Sequence, residues 1–260
     1  RRSPARAHAS PAARPPDERP PHEVLSSNTP TETQSSLVDA CRESDRRFVF
    51  WCQDFYSIAV DRLVRKKLPL IGRLIGAYYK SLERKQLERA DHVVAITDDF
   101  KPIMVEEFGT APDKISVIPN WAPIDRMPAL DKRNAWSLAH GLEDKFVFLY
   151  SGTLGMKHNP ELLLALAERF EGDGGVRIVV ISEGLGADWL RTEGVKRGLQ
   201  NLVVLPYQPF EDLPRVLATG DVLTGVLEED AGVFSVPSKV LSYLCASRAI
   251  LLAVPRVNLA

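Results

Sequence analysis

The chain has 260 residues, of which 45% are hydrophobic and 26% are charged, a composition typical of a folded globular protein. A formal net charge of -1 argues against a dedicated nucleic-acid binder, and no apolar run approaches the ~18–20 residues that span a bilayer. The three cysteines and five histidines form no C-x-x-C, H-x-H or H-E-x-x-H unit, so neither a disulfide framework nor a metal site is predicted. Such cysteine usage is typical of the reducing cytoplasm.

Residues 1–22 differ in composition from the rest of the chain. They contain six prolines, five arginines and five alanines, and no aliphatic residue larger than alanine. Such a segment cannot bury enough apolar area to offset its chain entropy, and it lacks the apolar centre of a signal peptide. We predict a disordered tail.

Residues 23–132 are predicted to form part of an α/β domain followed by a linker. The apolar runs predict strands, and apolar spacing together with N-cap residues predicts helices. The predicted strands are Arg47–Cys52, Asp91–Ile96 and Lys114–Pro119; the predicted helices are Leu63–Arg89, with a break near Pro69, and Phe100–Phe108, capped by Thr97 and Asp98; the linker is Asn120–Lys132.

Residues 133–260 alternate regularly between apolar strands and helical patterns, which predicts a second, doubly wound parallel sheet because each parallel crossover needs a helix. In such sheets ligands lie at the carboxyl ends of the strands, near the topological switch point. The predicted strands are Phe146–Tyr150, Arg177–Ile181, Leu202–Leu205, Asp221–Val226 and Ile250–Val254; the predicted helices are Pro160–Phe170, Ala187–Arg197, Glu211–Ala218 and Pro237–Ala246.

The loop SGTLGMKHNP, residues 151–160, follows the first strand of this second sheet. Gly152 and Gly155 would let backbone approach a ligand, Asn159 is a candidate N-cap, and Lys157 adds a positive charge. A helix start beside a lysine favours an anion, and a diphosphate is the natural guest. The alternative is a plain turn with a solvated lysine.

A second helix start lies in SVPSKVLSY, residues 235–243. Ser235 is a candidate cap before Pro237, and Ser238 and Lys239 add a hydroxyl and a cation. The alternative is a capped helix with an exposed lysine. Other phosphate signatures are missing: the sequence holds no G-x-x-x-x-G-K-[ST], and Gly184-Leu-Gly186 has Trp189 where a dinucleotide fingerprint needs glycine.

Five successive segments resemble retaining glycosyltransferases of the two-Rossmann GT-B fold (family 4, group 1), and are most similar to bacterial cell-surface polysaccharide transferases. The resemblance covers roughly residues 23–260 and implies two Rossmann-like domains, of which the first is incomplete; the chain looks truncated at both ends. The segments are DHVVAITDDFKPIMVEEFGTAPDKISVIPN, FVFLYSGTLGMKHNPELLLALAERF, RIVVISEGLGADWL, NLVVLPYQPFEDLPRVLATGDVL and VPSKVLSYLCASRAILLAVP.

The resemblance implies a nucleotide-sugar donor, a glycan or polyprenyl-linked acceptor, and catalysis without a metal or cofactor. In the family, the positions matched here hold the donor diphosphate, meet the nucleotide base or contact the ribose. The implied catalytic residues are Lys157, Lys239 and Asp54, and the implied donor-binding residues are Gly152, Thr153, Glu183, Gly184, Tyr207, Ser235, Ser238 and Ser242.

Three departures from the family pattern affect the sugar and acceptor contacts. Ser242 replaces a glutamate, Thr153 replaces an arginine, and Gln53-Asp54 stand where many members have a histidine. The departures and the apparent truncation leave open a second hypothesis, a non-catalytic fragment that binds a nucleotide or a partner weakly.

The stretch from Arg62 to Arg89 is strongly basic, with nine Lys or Arg residues against two Glu. Its interleaved apolar residues predict an amphipathic helix able to lie on an anionic membrane. The alternative is a solvated helix face packed on the sheet. We therefore expect a cytoplasmic protein that contacts the inner face of the plasma membrane.

Overall fold

The computed structural model describes residues 22–155, 158–227, 238–254 and 256, without the side chains of residues 63, 66, 67, 69 and 70. The first part of the chain forms a four-stranded parallel sheet whose strands follow one another in the order β1-β2-β3-β4. Its elements are β1 (Glu23–Ser26), α1 (Thr31–Glu43), β2 (Arg47–Cys52), α2 (Tyr56–Lys67), α3 (Pro69–Arg89), β3 (His92–Ala95), α4 (Phe100–Pro102), a π-helical turn (Ile103–Glu107) and β4 (Ile115–Val117).

The second part forms a five-stranded parallel sheet in the order β7-β6-β5-β8-β9. This order is that of a Rossmann-like sheet, in which the chain leaves the central strand in one direction and later returns to its other side. Its elements are α5 (Ala135–Ala139), β5 (Phe146–Ser151), α6 (Pro160–Arg169), β6 (Val176–Ile181), α7 (Leu185–Arg197), β7 (Leu202–Leu205), α8 (Leu213–Thr219), β8 (Val222–Val226), α9 (Lys239–Cys245) and β9 (Ala249–Ala253).

The two parallel sheets confirm the predicted α/β fold class. Each strand run that the apolar pattern marked is a strand within one or two residues, because strands covered on both faces are almost continuously apolar. The break predicted near Pro69 lies at Leu68, between α2 and α3. The predicted tail, residues 1–22, falls outside the described residues except for its last residue, and the domain boundary at residue 133 stays a prediction.

Two elements, β1 and α1, were missed. In α1 the buried positions are Thr31, Gln34, Ser35, Val38 and Cys41, and the first three of these are polar. The Gln86 amide donates to the Thr31 carbonyl oxygen at 2.7 Å and to Ser35 Oγ at 2.8 Å. A buried face that is polar over its first half gives only a short apolar stripe for a periodicity analysis to detect.

Several helix starts differ from the prediction. The helix predicted over Phe100–Phe108 is one α-turn followed by a π-turn, and Asp98 pairs with Lys101 at 2.9 Å rather than capping the helix. The Thr97 hydroxyl does accept a hydrogen bond from a nearby amide, that of Asp99, at 3.3 Å. A short helix that was not predicted, α5, follows the linker and is capped by Asn134.

A buried carboxyl group, Glu83 on α3, caps the amino-terminal end of α2. It accepts hydrogen bonds from the backbone amides of Tyr56 and Ser57, each at 3.2 Å, and from the Ser57 hydroxyl at 2.5 Å. Burial raises the pKa of Glu83 from 4.5 to about 7, although the bonds from Ser57 and Tyr56 oppose this shift. The charged form is therefore disfavoured in the folded protein.

We expect Glu83 to make the protein less stable as the pH rises. The folded pKa lies above the unfolded value, so the favourable contribution is complete below about pH 4.5 and is lost as the pH rises through about 7. The free energy of unfolding, measured by urea denaturation from pH 4.5 to 8, should fall by at most ~1.4 kcal/mol per pH unit within this window. Glu83→Gln should remove this slope, whereas Glu88→Gln, at an exposed position of the same helix, should keep it.

Candidate donor-binding site

The switch point of the second sheet lies between β5 and β8, where the strand order reverses. The loop after β5 and helix α9, which follows β8 in the sequence, converge there. Gly152, the first residue after β5, has φ +132°, a backbone conformation that residues other than glycine rarely adopt. A Cβ atom at Gly152 would lie 3.2 Å from Lys239 Cε and 3.4 Å from Lys239 Nζ. The structure thus brings together two of the predicted residues.

The side chain of Lys239 crosses from α9 to the end of β5. Its ammonium lies 3.7 Å from the centre of the Tyr150 ring and donates a hydrogen bond to the Tyr150 hydroxyl. A cation over an aromatic face is held electrostatically. A positive charge therefore lies directly above the backbone of Gly152, at the edge of the sheet where ligands of such folds bind.

Three other predicted residues meet across the same sheet edge. The Tyr207 hydroxyl, after β7, donates to Thr153 Oγ1 at 3.1 Å, and the Tyr207 backbone amide donates to Glu183 Oε1 at 3.2 Å. Gly184, with φ +95°, occupies the N-cap position of α7. Tyr207 and Thr153 are both exposed, so this bridge over the end of β6 borders the candidate site from the solvent side.

The start of α6 lies where it was predicted. Asn159 is at the N-cap position and Pro160 is the first helical residue, but the Asn159 side chain makes no capping hydrogen bond and the residue is left-handed, with φ 45°. The amide of Gly155 donates to His158 Nδ1 at 3.0 Å, and the approach of a ligand to Gly155 stays a prediction. Lys157 lies outside the described residues and its role stays a prediction.

Helix α9 begins later than predicted. Its first residue is Lys239, and Ser238, exposed at the N-cap position, makes no side-chain capping bond. Ser242 is half buried one turn after Lys239, on the same side of the helix. Ser235, the other predicted hydroxyl, lies outside the described residues.

Asp54, the predicted catalytic carboxylate, lies in a loop of the first sheet. It follows β2, and its carbonyl oxygen accepts a hydrogen bond from Asn28 Nδ2 at 2.7 Å. The Asn28 side chain also accepts from the Gln53 amide at 2.6 Å, and Gln53 Oε1 accepts from Asn120 Nδ2 at 2.8 Å. These bonds hold the loop that carries Asp54 at the carboxyl end of the first sheet.

The sequence analysis assigned no role to three buried polar residues at the carboxyl edge of the second sheet. Tyr150 and Tyr243 are both almost completely buried, and Ser182 Oγ accepts a hydrogen bond from the Leu154 amide at 2.9 Å. The Tyr243 hydroxyl accepts from the Ser151 amide at 3.0 Å and lies 3.2 Å from the Thr224 carbonyl oxygen, so it joins the ends of β5 and β8. A hydroxyl at or just after the carboxyl end of a buried strand could have indicated Tyr150 and Ser182.

Neither metal-binding nor membrane-spanning features occur in the part of the chain that the structure describes. No three His, Cys, Asp or Glu side chains gather there as a metal site would require. Its helices are all too short or too polar to cross a membrane.

The fold is that of the GT-B glycosyltransferases. HepE from Anabaena, solved with UDP and glucose, superimposes with a TM-score of 0.66 over 87% of this chain and 58% of that chain, at 13% identity. WaaG, described as a glycosyltransferase involved in lipopolysaccharide biosynthesis, superimposes with a TM-score of 0.64 over 88% of this chain and 66% of that one, at 16% identity.

Sequence comparison finds similarity to glycosyltransferases. Residues 17–126 match the sequence model of Glycosyltransferase Family 4. The chain is 28% identical over 176 residues to WcaI of Escherichia coli, a protein described as a colanic acid biosynthesis glycosyl transferase, and 22% identical over 156 residues to the glycosyltransferase YtcC of Bacillus subtilis. These alignments cover 66% and 54% of this chain, but only 43% of WcaI and 38% of YtcC.

Proposed function

We propose that the protein transfers a sugar from a nucleotide-sugar donor to a glycan or lipid-linked acceptor in cell-surface polysaccharide biosynthesis, with retention at the anomeric carbon and without a metal ion. The observation that carries this proposal is the ammonium of Lys239 above Gly152 at the switch point of the second sheet. A diphosphate is an anion that fits such a position.

The named relatives support the choice of substrates. HepE was solved with UDP and with UDP-glucose, so a uridine nucleotide is the first donor to test. WcaI and WaaG are named for colanic acid and lipopolysaccharide biosynthesis, which favours a surface glycan or its lipid-linked precursor as acceptor.

The proposed chemistry is electrostatic. The bond between the anomeric carbon and the phosphate oxygen of the donor breaks, and the diphosphate leaves with the electron pair. The acceptor hydroxyl oxygen forms the new bond to the anomeric carbon, and its proton passes to the departing diphosphate oxygen. Negative charge that develops on the diphosphate would be met by Lys239 and by Lys157. Asp54, at the carboxyl end of the first sheet, is the candidate catalytic carboxylate on the acceptor side.

Calorimetric titration of the folded chain with UDP, GDP and ADP tests the donor site. We expect at least one of them to bind with a dissociation constant below millimolar, and more tightly than its nucleoside, because the diphosphate supplies the charge that Lys239 attracts. If none binds at millimolar concentration, the donor site is wrong. Binding without transfer to any glycan acceptor would favour the second hypothesis, a non-catalytic nucleotide-binding chain.

We also propose that the hairpin of α2 and α3 contacts an anionic membrane surface. Several basic residues of the stretch are paired with acids of other elements: Lys85 and Arg89 contact Asp39, and Lys80 lies 3.4 Å from Glu107. The surface most suited to a membrane is therefore the amino-terminal half of α3 and the turn before it. There the apolar side chains of Leu68, Ile71, Leu74 and Tyr78 are exposed at helical spacing, and Arg73 is exposed among them.

Vesicle sedimentation tests this surface. The chain should bind phosphatidylglycerol vesicles more strongly than phosphatidylcholine vesicles, and less strongly at 0.5 M salt, because salt screens charges on the protein and the lipid. Leu74→Glu should weaken binding about tenfold, since the 74% exposed leucine would otherwise insert among the lipids. Val195→Glu, at an equally exposed apolar position of α7, should leave binding unchanged. Equal effects of the two substitutions would contradict the proposal.

A further inference from the structure

Tyr150 links the lysine of the candidate site to the loop after β5. Its side chain is fully buried, and its hydroxyl donates a hydrogen bond to the Thr153 carbonyl oxygen at 2.7 Å. The same hydroxyl accepts a hydrogen bond from Lys239, whose ammonium also lies over the ring. One buried side chain thus contacts both the cation and the loop that Gly152 begins.

We propose that Tyr150 is a positioning residue that holds the Lys239 ammonium above Gly152, where it meets the diphosphate of the donor. This role rests on the proposed function. A lysine side chain has four rotatable carbon–carbon bonds, and its ammonium otherwise samples many positions. Ring face and hydroxyl together restrict it to one position before the ligand arrives, so less entropy is lost on binding.

Tyr150 itself adds no negative charge beside Lys239. Burial raises the pKa of the Tyr150 hydroxyl, which therefore remains a neutral phenol and does not cancel the charge of Lys239. Its proton is directed to the Thr153 carbonyl oxygen, so its oxygen can accept from the ammonium. Gly152 contributes no side chain to the space beneath Lys239.

Tyr243 provides a matched control at the same edge of the sheet. It is as deeply buried as Tyr150, but its hydroxyl contacts the backbone of Ser151 and Thr224. Tyr243→Phe and Tyr150→Phe therefore each remove one buried hydroxyl from this region. Only Tyr150→Phe also removes a contact to Lys239. Comparing the two variants therefore separates a positioning effect from a purely structural one.

The test is a double-mutant cycle measured by calorimetry with UDP, GDP and ADP and with the corresponding nucleosides. Tyr150→Phe should weaken nucleoside diphosphate binding by about three- to tenfold and leave nucleoside binding unchanged, because one hydrogen bond that orients the cation is lost. In a Lys239→Ala background the same substitution should have no further effect. Tyr243→Phe should lower the melting temperature and leave the ratio of diphosphate to nucleoside affinity at that of the wild type.

Each other outcome overturns the inference. Suppose that the wild type binds a nucleoside diphosphate, but Tyr150→Phe leaves the ratio of diphosphate to nucleoside affinity unchanged, or weakens binding equally with and without Lys239. Tyr150 then does not position the lysine, whereas the proposed function stands. If the wild type binds none, both fall. Should Tyr150→Phe fail to fold, the wild type can be methylated on its lysines with ¹³C. The Lys239 signal, assigned by its loss in Lys239→Ala, should be shifted by the aromatic ring, and an unshifted signal overturns the inference.

Discussion

Lys239→Ala is expected to lower the affinity for a nucleoside diphosphate at least tenfold while leaving nucleoside binding almost unchanged. The ammonium lies beside the backbone of Gly152 at the switch point, and a hydrogen bond to a charged group contributes ~1.5–3 kcal/mol. Where transfer can be assayed, the rate should fall by ~10²–10³, as it does when one preorganised donor to a developing negative charge is removed.

A control variant and one contradicting outcome belong to this prediction. Lys196→Ala removes an exposed lysine that pairs with Glu193 on α7, and should change neither binding nor rate. If Lys239→Ala weakened nucleoside and diphosphate binding equally, the substitution would have damaged the fold, and the assignment of Lys239 to the donor site would have to be withdrawn.

Gly186→Ala should destabilise the protein and disturb the donor site at the same time. Gly186 lies in the first turn of α7, and a Cβ atom there would lie 2.1 Å from the carbonyl oxygen of Leu154. Leu154 is fully buried in the loop after β5, so this backbone cannot move away without displacing Gly152 and Thr153. We expect the free energy of unfolding to fall by ~1–3 kcal/mol, together with weaker diphosphate binding.

Gly194→Ala on the same helix is the matched control. A Cβ atom at Gly194 would meet Leu202 Cδ2 at 2.8 Å, the end of a flexible side chain that can turn aside. Alanine also has the higher helix propensity by ~1 kcal/mol, so the net change in stability should be small. A loss of stability at Gly194 equal to that at Gly186 would contradict the tight contact between α7 and the Leu154 backbone.

The second sheet and most of the first could be predicted from the sequence because their strands are nearly continuous apolar runs. The runs at Phe146–Ser151 and Val176–Ile181 are buried on both faces, and such burial leaves a local signal in the sequence. Gly152 and Lys239 could likewise be singled out, because a glycine after a strand and a lysine at a helix start are local features. The resemblance to a known family added the expectation that they share one ligand.

Only the tertiary structure determined which of these residues meet. Lys239 contacts Tyr150, which is 89 residues distant in the chain, because the strand order places β5 beside β8. The polar contacts of α1 with Gln86, the amide of Gly155 bound by His158 and the burial of Glu83 depend in the same way on how elements pack. Hydrogen bonds between distant polar groups leave no periodic pattern in the sequence, whereas the burial of an apolar face does. For this reason the sequence alone determined the class of fold and the candidate residues, and the folded chain decided which buried tyrosine holds the lysine.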